Sequence, residues 1–297
     1  MAPAAGLVLV GVAAFAVLKW APLGSERDPY AHGGSDELAI WQVLLTGEVV
    51  VWALFAAVGF RMLKALRELL PDALTYGRGR ETAEFLSLVY GAVLLLLGLG
   101  FVAKLSSPTV LHGQQWKTAA LHLVAGIAIL PFLVALKWIQ LCADEDGSWW
   151  SGTTSDIEFH RLLRKHLRTA TMCLGAIIAL AVVATGALRN AVEAAKLDPL
   201  PQTFVVLYGA WFTGVVAAIY LYVFGALEKR GRLIVRSAAP LERRNLVDLH
   251  EDDATKRRRK ELSEELELGG DPRKNLEGLV AVFSPLIGAL LSQLGGL

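Results

Sequence analysis

The most prominent pattern in this sequence is a series of long apolar runs separated by short polar ones. Six stretches, 3–18, 38–60, 85–103, 118–141, 169–188 and 203–227, each contain at most one Asp, Glu, Lys or Arg. A helix of about 20 such residues crosses about 30 Å of hydrocarbon, so the pattern predicts six transmembrane helices. The first and shortest stretch lacks the basic start of a signal peptide and is read as a retained span.

Between the spans the periodicity remains helical. Arg61 to Leu70 extends the second span until Pro71 stops it. Ser155 and Glu158 have the spacing of a capping box, and Ile157, Leu162, Leu163 and Leu167 follow at helical intervals, so the fifth span is expected to grow out of a cytoplasmic helix. After residue 227 comes a connector interrupted by Gly231 and Pro240. A charged helix over 256–268 is then stopped by Gly269 and Gly270, and Asp271-Pro272 starts another. That last helix has bulky residues Leu279, Val280, Phe283, Leu286, Ile287, Leu290, Leu291 and Leu294 at a period near 3.5, with small residues Ala281, Ser284, Pro285, Gly288, Ala289 and Ser292 between them. Such a two-faced helix is built to pack on other helices, either its own bundle or a second subunit.

Composition narrows the class further. Hydrophobic residues make up 54% of the 297 and charged residues 19%, below the roughly 25% usual in soluble domains. Mean hydropathy is +0.47. This excludes a disordered chain, and two Cys exclude a disulfide scaffold. A formal charge of +1 gives no global attraction to nucleic acid.

Charge placement gives a direction. Segment 61–84 holds five Lys and Arg, 142–168 holds four and 228–277 holds thirteen, whereas 19–38, 104–117 and 189–202 hold two each. Rich and poor segments alternate at every crossing, which predicts that both termini are cytoplasmic. Trp20, Trp41, Trp116 and Trp138 fall near span ends, as headgroup anchors would.

Glu48 carries the sharpest chemical signal. It lies ten residues into a 23-residue span, where an acidic group is costly and is usually an ion or proton contact. Lys137, near the cytoplasmic end of its span, is expected to snorkel, and Pro131 to kink the same helix. The run Lys256, Arg257, Arg258, Arg259 and Lys260 is a candidate contact for an anionic ligand or lipid headgroup, set against pairing with the acids that follow it. The six His lack metal-site spacing, Cys142 and Cys173 read as small apolar filler, and no nucleotide-binding or metalloprotease motif occurs.

The expected architecture is an all-α integral membrane protein. Residues 1–227 form a six-span bundle, 228–270 a charged cytoplasmic connector and helix, and 271–297 a hydrophobic packing helix. The expected function is an oligomeric channel or membrane-permeabilising effector in the cell membrane, gated from the cytoplasm, as in a bacterial defence or signalling system. The alternatives are a proton-coupled transporter, a structural subunit of a membrane complex, or a membrane enzyme acting on lipids or quinones. No cofactor or catalytic residue is expected. The expected partners are membrane lipids, further copies of the chain joined through Leu279, Phe283, Leu286, Ile287, Leu290, Leu291 and Leu294, and a cytoplasmic small-molecule, oligonucleotide or protein regulator.

Overall fold

In the computed structural model the described residues are 35–69, 79–91, 114–144, 154–194, 201–239, 253–268 and 280–290, and no strand occurs among them. They form α1 (Ser35–Leu69), α2 (79–91), α3 (Gln114–Asp144), α4 (Thr154–Ala194), α5 (Gln202–Ala238), α6 (Asp253–Glu265) and α7 (Val280–Leu290). Four segments, Ala39–Glu68, Val124–Asp144, Ser155–Ala194 and Thr203–Ala238, are long and apolar enough to cross a membrane. They contain the expected second, fifth and sixth spans almost whole and most of the fourth. The expected span 3–18 and residues 92–103 of the third lie outside the described residues.

α1 packs on α3 and α4, and α5 packs on the same two helices from another side. α1 and α5 each bury one stripe, whereas α3 is buried nearly all round over residues 131–143. In α1 the stripe is Trp41, Leu45, Glu48, Val49 and Trp52, continued by Met62 and Leu66; in α5 it runs Val205, Tyr208, Phe212, Val216, Ile219, Val223 and Leu227. These three- and four-residue steps place one face of each helix against the bundle. The other faces stay apolar: Ile40, Val43 and Phe60 of α1 and Leu207 and Leu221 of α5 are exposed, as lipid-facing positions should be. Trp41 and Trp52 are both buried, so Trp41 serves the core and not the headgroup layer expected of it.

Two helices run through residues that could have interrupted them. α3 runs through Pro131, and Pro131 sits where Gly59 brings α1 close: a methyl group on Gly59 would lie 2.9 Å from the proline ring. α5 runs through Gly231 to Ala238, so the first part of the expected connector is the continuation of a span. α4 is one helix of 41 residues, of which only the apolar stretch 169–188 is needed to cross a bilayer. Its first fifteen residues, rich in Arg, project beyond that stretch. α4 begins at Thr154, one residue before the expected cap Ser155.

α7 docks by its small face. Ala281, Val282, Pro285, Gly288 and Ala289 are buried, while Val280, Phe283, Ile287 and Leu290 are exposed. Gly175 of α4 faces the Ala281 carbonyl and the Ser284 hydroxyl, Gly209 of α5 faces Pro285 and Ala289, and Gly288 faces the Ala179 carbonyl. Residues 175, 179 and 209 are well inside the apolar stretches, so α7 lies at the depth of the spans. Leu279, Leu291 and Leu294 of the expected stripe lie outside the described residues, and Leu286 is half-buried.

Candidate functional site

Two places in the bundle bring polar chemistry together. The first is Glu48. The α1 register puts it in the buried stripe, one turn from Trp52, and only 3% of its surface is exposed. Its Oε2 and the Trp52 indole Nε1 are buried with no hydrogen-bond partner among the described residues, and the same holds for Thr213 Oγ1 on α5. The Tyr208 hydroxyl of α5 lies within electrostatic reach of the Glu48 carboxyl group. Thr46, by contrast, is satisfied locally, donating to the Gln42 carbonyl at 2.7 Å. A buried polar atom without a partner costs roughly 1–3 kcal/mol, and an unpaired charge costs more. Glu48 is thus an enclosed acid with one oxygen lacking a donor among the described residues.

The second place is a charged collar where the projecting part of α4 meets α5 and the end of α6. Arg161, Arg164 and Arg168 share one face of α4 at intervals of three and four. Arg161 pairs with Glu265 at 2.9 Å. Arg164, with 7% of its side chain exposed, pairs with Glu228 of α5 at 2.6 Å and donates to the Glu267 carbonyl oxygen at 3.0 Å. Arg168 pairs with the Glu267 carboxylate. His160 accepts from Arg164 Nε at 3.1 Å through Nε2, which leaves the ring proton on Nδ1. Burial, with Arg164 and Arg230 beside it, holds His160 well below the usual imidazole range, at about 3. Arg230 donates to the Cys142 carbonyl oxygen and lies over the Phe159 ring.

The end of α6 is shaped for this contact. Leu268 N donates to the Ser263 carbonyl at 2.7 Å and Glu267 N to the Glu264 carbonyl at 3.1 Å, the paired bonds of a Schellman turn. The left-handed position of that turn falls on Glu267, φ 56°, alone among the described non-glycine residues. A left-handed residue with a Cβ costs about 1–2 kcal/mol. The ion pairs with Arg164 and Arg168 offset that cost. Leu262 and Leu266 add an apolar seat on Ile234, Val235 and Ala239.

The sequence-derived candidates fare unevenly. The basic run is largely engaged within the protein. Arg259 Nε donates to the Ala239 carbonyl at 2.9 Å, capping the end of α5. Lys256 lies 3.9 Å from Asp253 and Arg258 3.7 Å from Glu261. Arg257 and Lys260 are exposed. Glu265 and Glu267, expected to neutralise this run, turn to α4 instead. Lys137 does not snorkel: it is buried and donates to Gln140 Oε1 at 2.7 Å, with Glu81 of α2 3.8 Å away. Cys142 and Cys173 are buried thiols, and no metal-binding cluster of His, Cys, Asp or Glu occurs among the described residues. Sequence reasoning missed the arginine row of α4, although its spacing is visible in the sequence. Its importance depends on partners more than 60 positions away.

No protein-family model matches the chain, and neither the curated proteins nor the solved structures give a significant match.

Proposed function

We propose that this protein is a membrane transport protein, a channel or membrane-permeabilising effector that passes protons or small cations and is controlled from its cytoplasmic side. Glu48 carries the proposal: an acidic side chain enclosed at mid-span, with one oxygen lacking a donor among the described residues, is the kind of group that contacts a moving charge. In this reading six spans cross the cell membrane, both termini are cytoplasmic, and copies of the chain associate through the exposed side of α7. The α6 turn, held to α4 by ion pairs, is the regulated element. The enclosure of Glu48 within one protomer also favours a second reading, a proton-coupled transporter, since the acid then lines a path inside each subunit.

The test is ion flux into liposomes holding the purified chain, with a proton gradient and a potassium gradient in separate arms. Glu48→Gln keeps the shape of the side chain and removes its charge, and is expected to cut flux by about tenfold or more, the effect of roughly 1.4 kcal/mol on a barrier. A chain ending at residue 270 lacks α7 and is expected to show altered flux. Equal flux in wild type and Glu48→Gln, with both folded, removes Glu48 from the path. Uptake that saturates with an organic solute and is lost in Glu48→Gln would favour the transporter.

A further inference from the structure

A cleft of about 620 Å³ opens between the arginine row of α4 and the turn that ends α6. Its two walls have opposite charge. Arg161, Arg164 and Arg168 on the α4 wall are matched by Glu265, Glu228 and Glu267. That leaves Lys165 on one wall and Glu264 on the other, both exposed, both lining the cleft, and in no ion pair among the described residues. The remaining lining identifies the direction of approach. Thr169 and Met172 begin the apolar stretch of α4, and Met172 is half exposed, so the cleft borders the level at which lipid chains give way to headgroups.

We propose that this cleft binds a phospholipid headgroup that carries both a phosphate and a primary ammonium. Lys165, backed by Arg168, takes the phosphate. Glu264, backed by Glu265, accepts hydrogen bonds from the ammonium. The acyl chains leave past Met172, which is half exposed. A purely anionic headgroup would satisfy Lys165 but would place its charge against the glutamate wall. A quaternary ammonium would fit the charge but has no N–H to donate. The site therefore selects phosphatidylethanolamine over both phosphatidylglycerol and phosphatidylcholine. The proposal stands on the membrane placement of the bundle and not on conduction through it.

The experiment uses the full chain in a neutral detergent, stripped of lipid, with each of the three lipids added in mixed micelles. Bound lipid is counted by native mass spectrometry, and the unfolding midpoint is followed in parallel. Phosphatidylethanolamine is expected to bind roughly three- to tenfold more tightly than the other two, the range of one charge-assisted hydrogen bond at a partly exposed rim. Glu264→Gln is expected to erase that preference and Lys165→Gln to weaken binding of all three lipids, while Arg80→Gln, paired with Glu84 on α2 and outside the cleft lining, changes neither. Soluble phosphoethanolamine separates the two sources of the same chemistry. A midpoint raised by it assigns recognition to the headgroup alone, whereas a response to lipid only assigns it to headgroup and chains together. Equal binding of phosphatidylethanolamine and phosphatidylcholine, tighter binding of phosphatidylglycerol, or a preference that survives Glu264→Gln would overturn the proposal.

Discussion

At the scale of single residues, position in the fold decides what a charge does. Glu48 and Lys137 are both ionisable groups within apolar runs, and the sequence treats them alike until neighbours are known. Lys137 has Gln140 and Glu81, and is a satisfied structural group. Glu48 has an oxygen with no donor among the described residues, and is the functional candidate. The midplane depth of Glu48 was legible from counting along its span; the burial of Lys137 was not, because it depends on α2, which is far away in sequence. His160 leads to a prediction in the collar, outside the apolar stretch. Its folded form resists protonation, whereas in the unfolded chain it titrates near the ordinary value of 6.5. Above that value neither state binds the proton and stability is unaffected. As pH falls from 6.5 toward about 3 the unfolded state alone takes it up, and stability is lost. Between pH 7 and pH 5 the loss is about 2 kcal/mol. Unfolding midpoints measured across that range should fall for wild type and fall less for His160→Gln. Parallel curves would show that the imidazole contributes nothing to the pH response.

At the scale of elements, the apolar runs were readable because hydrocarbon leaves a chain few options: backbone groups must bond within the helix, so length and apolarity suffice. Ends and breaks were less readable. Gly231 looks like a stop and costs a helix about 1 kcal/mol against Ala, yet α5 continues because that glycine lets Leu268 and His160 close on the helix. α6 occupies Asp253–Glu265 instead of 256–268, since Glu267 takes the left-handed position that the glycine pair was expected to supply. The two-faced pattern of α7 was legible, and the structure assigns its small face to α4 and α5 of the same chain. A larger residue at the seat should expel it. Gly175→Leu would overlap the Ala281 carbonyl and the Ser284 hydroxyl, and is expected to cost about 1–3 kcal/mol, seen as a lower unfolding midpoint. Phe283→Ala, on the exposed face, should change stability by no more than about 0.5 kcal/mol. An unchanged midpoint for Gly175→Leu would mean that α7 is not seated there.

At the scale of the whole molecule, the alternation of Lys and Arg across the crossings predicts an orientation that packing alone does not encode. A fluorescent reporter at the C-terminus should fold and glow, and a phosphatase fused in segment 104–117 should be active. The reverse pattern would invert the topology and move the collar to the outer face. Both tail helices close on α4, α6 at its projecting base and α7 at mid-span, so this one helix links the charged collar to the membrane interior. The seat of α7 has a consequence for biosynthesis. Synthesis runs from the N-terminus, so the groove lined by Gly175, Ala179 and Gly209 enters the bilayer while α7, beyond Ala238 and the whole of α6, has yet to emerge from the ribosome. A chain ending before α7 is therefore expected to leave that groove uncovered.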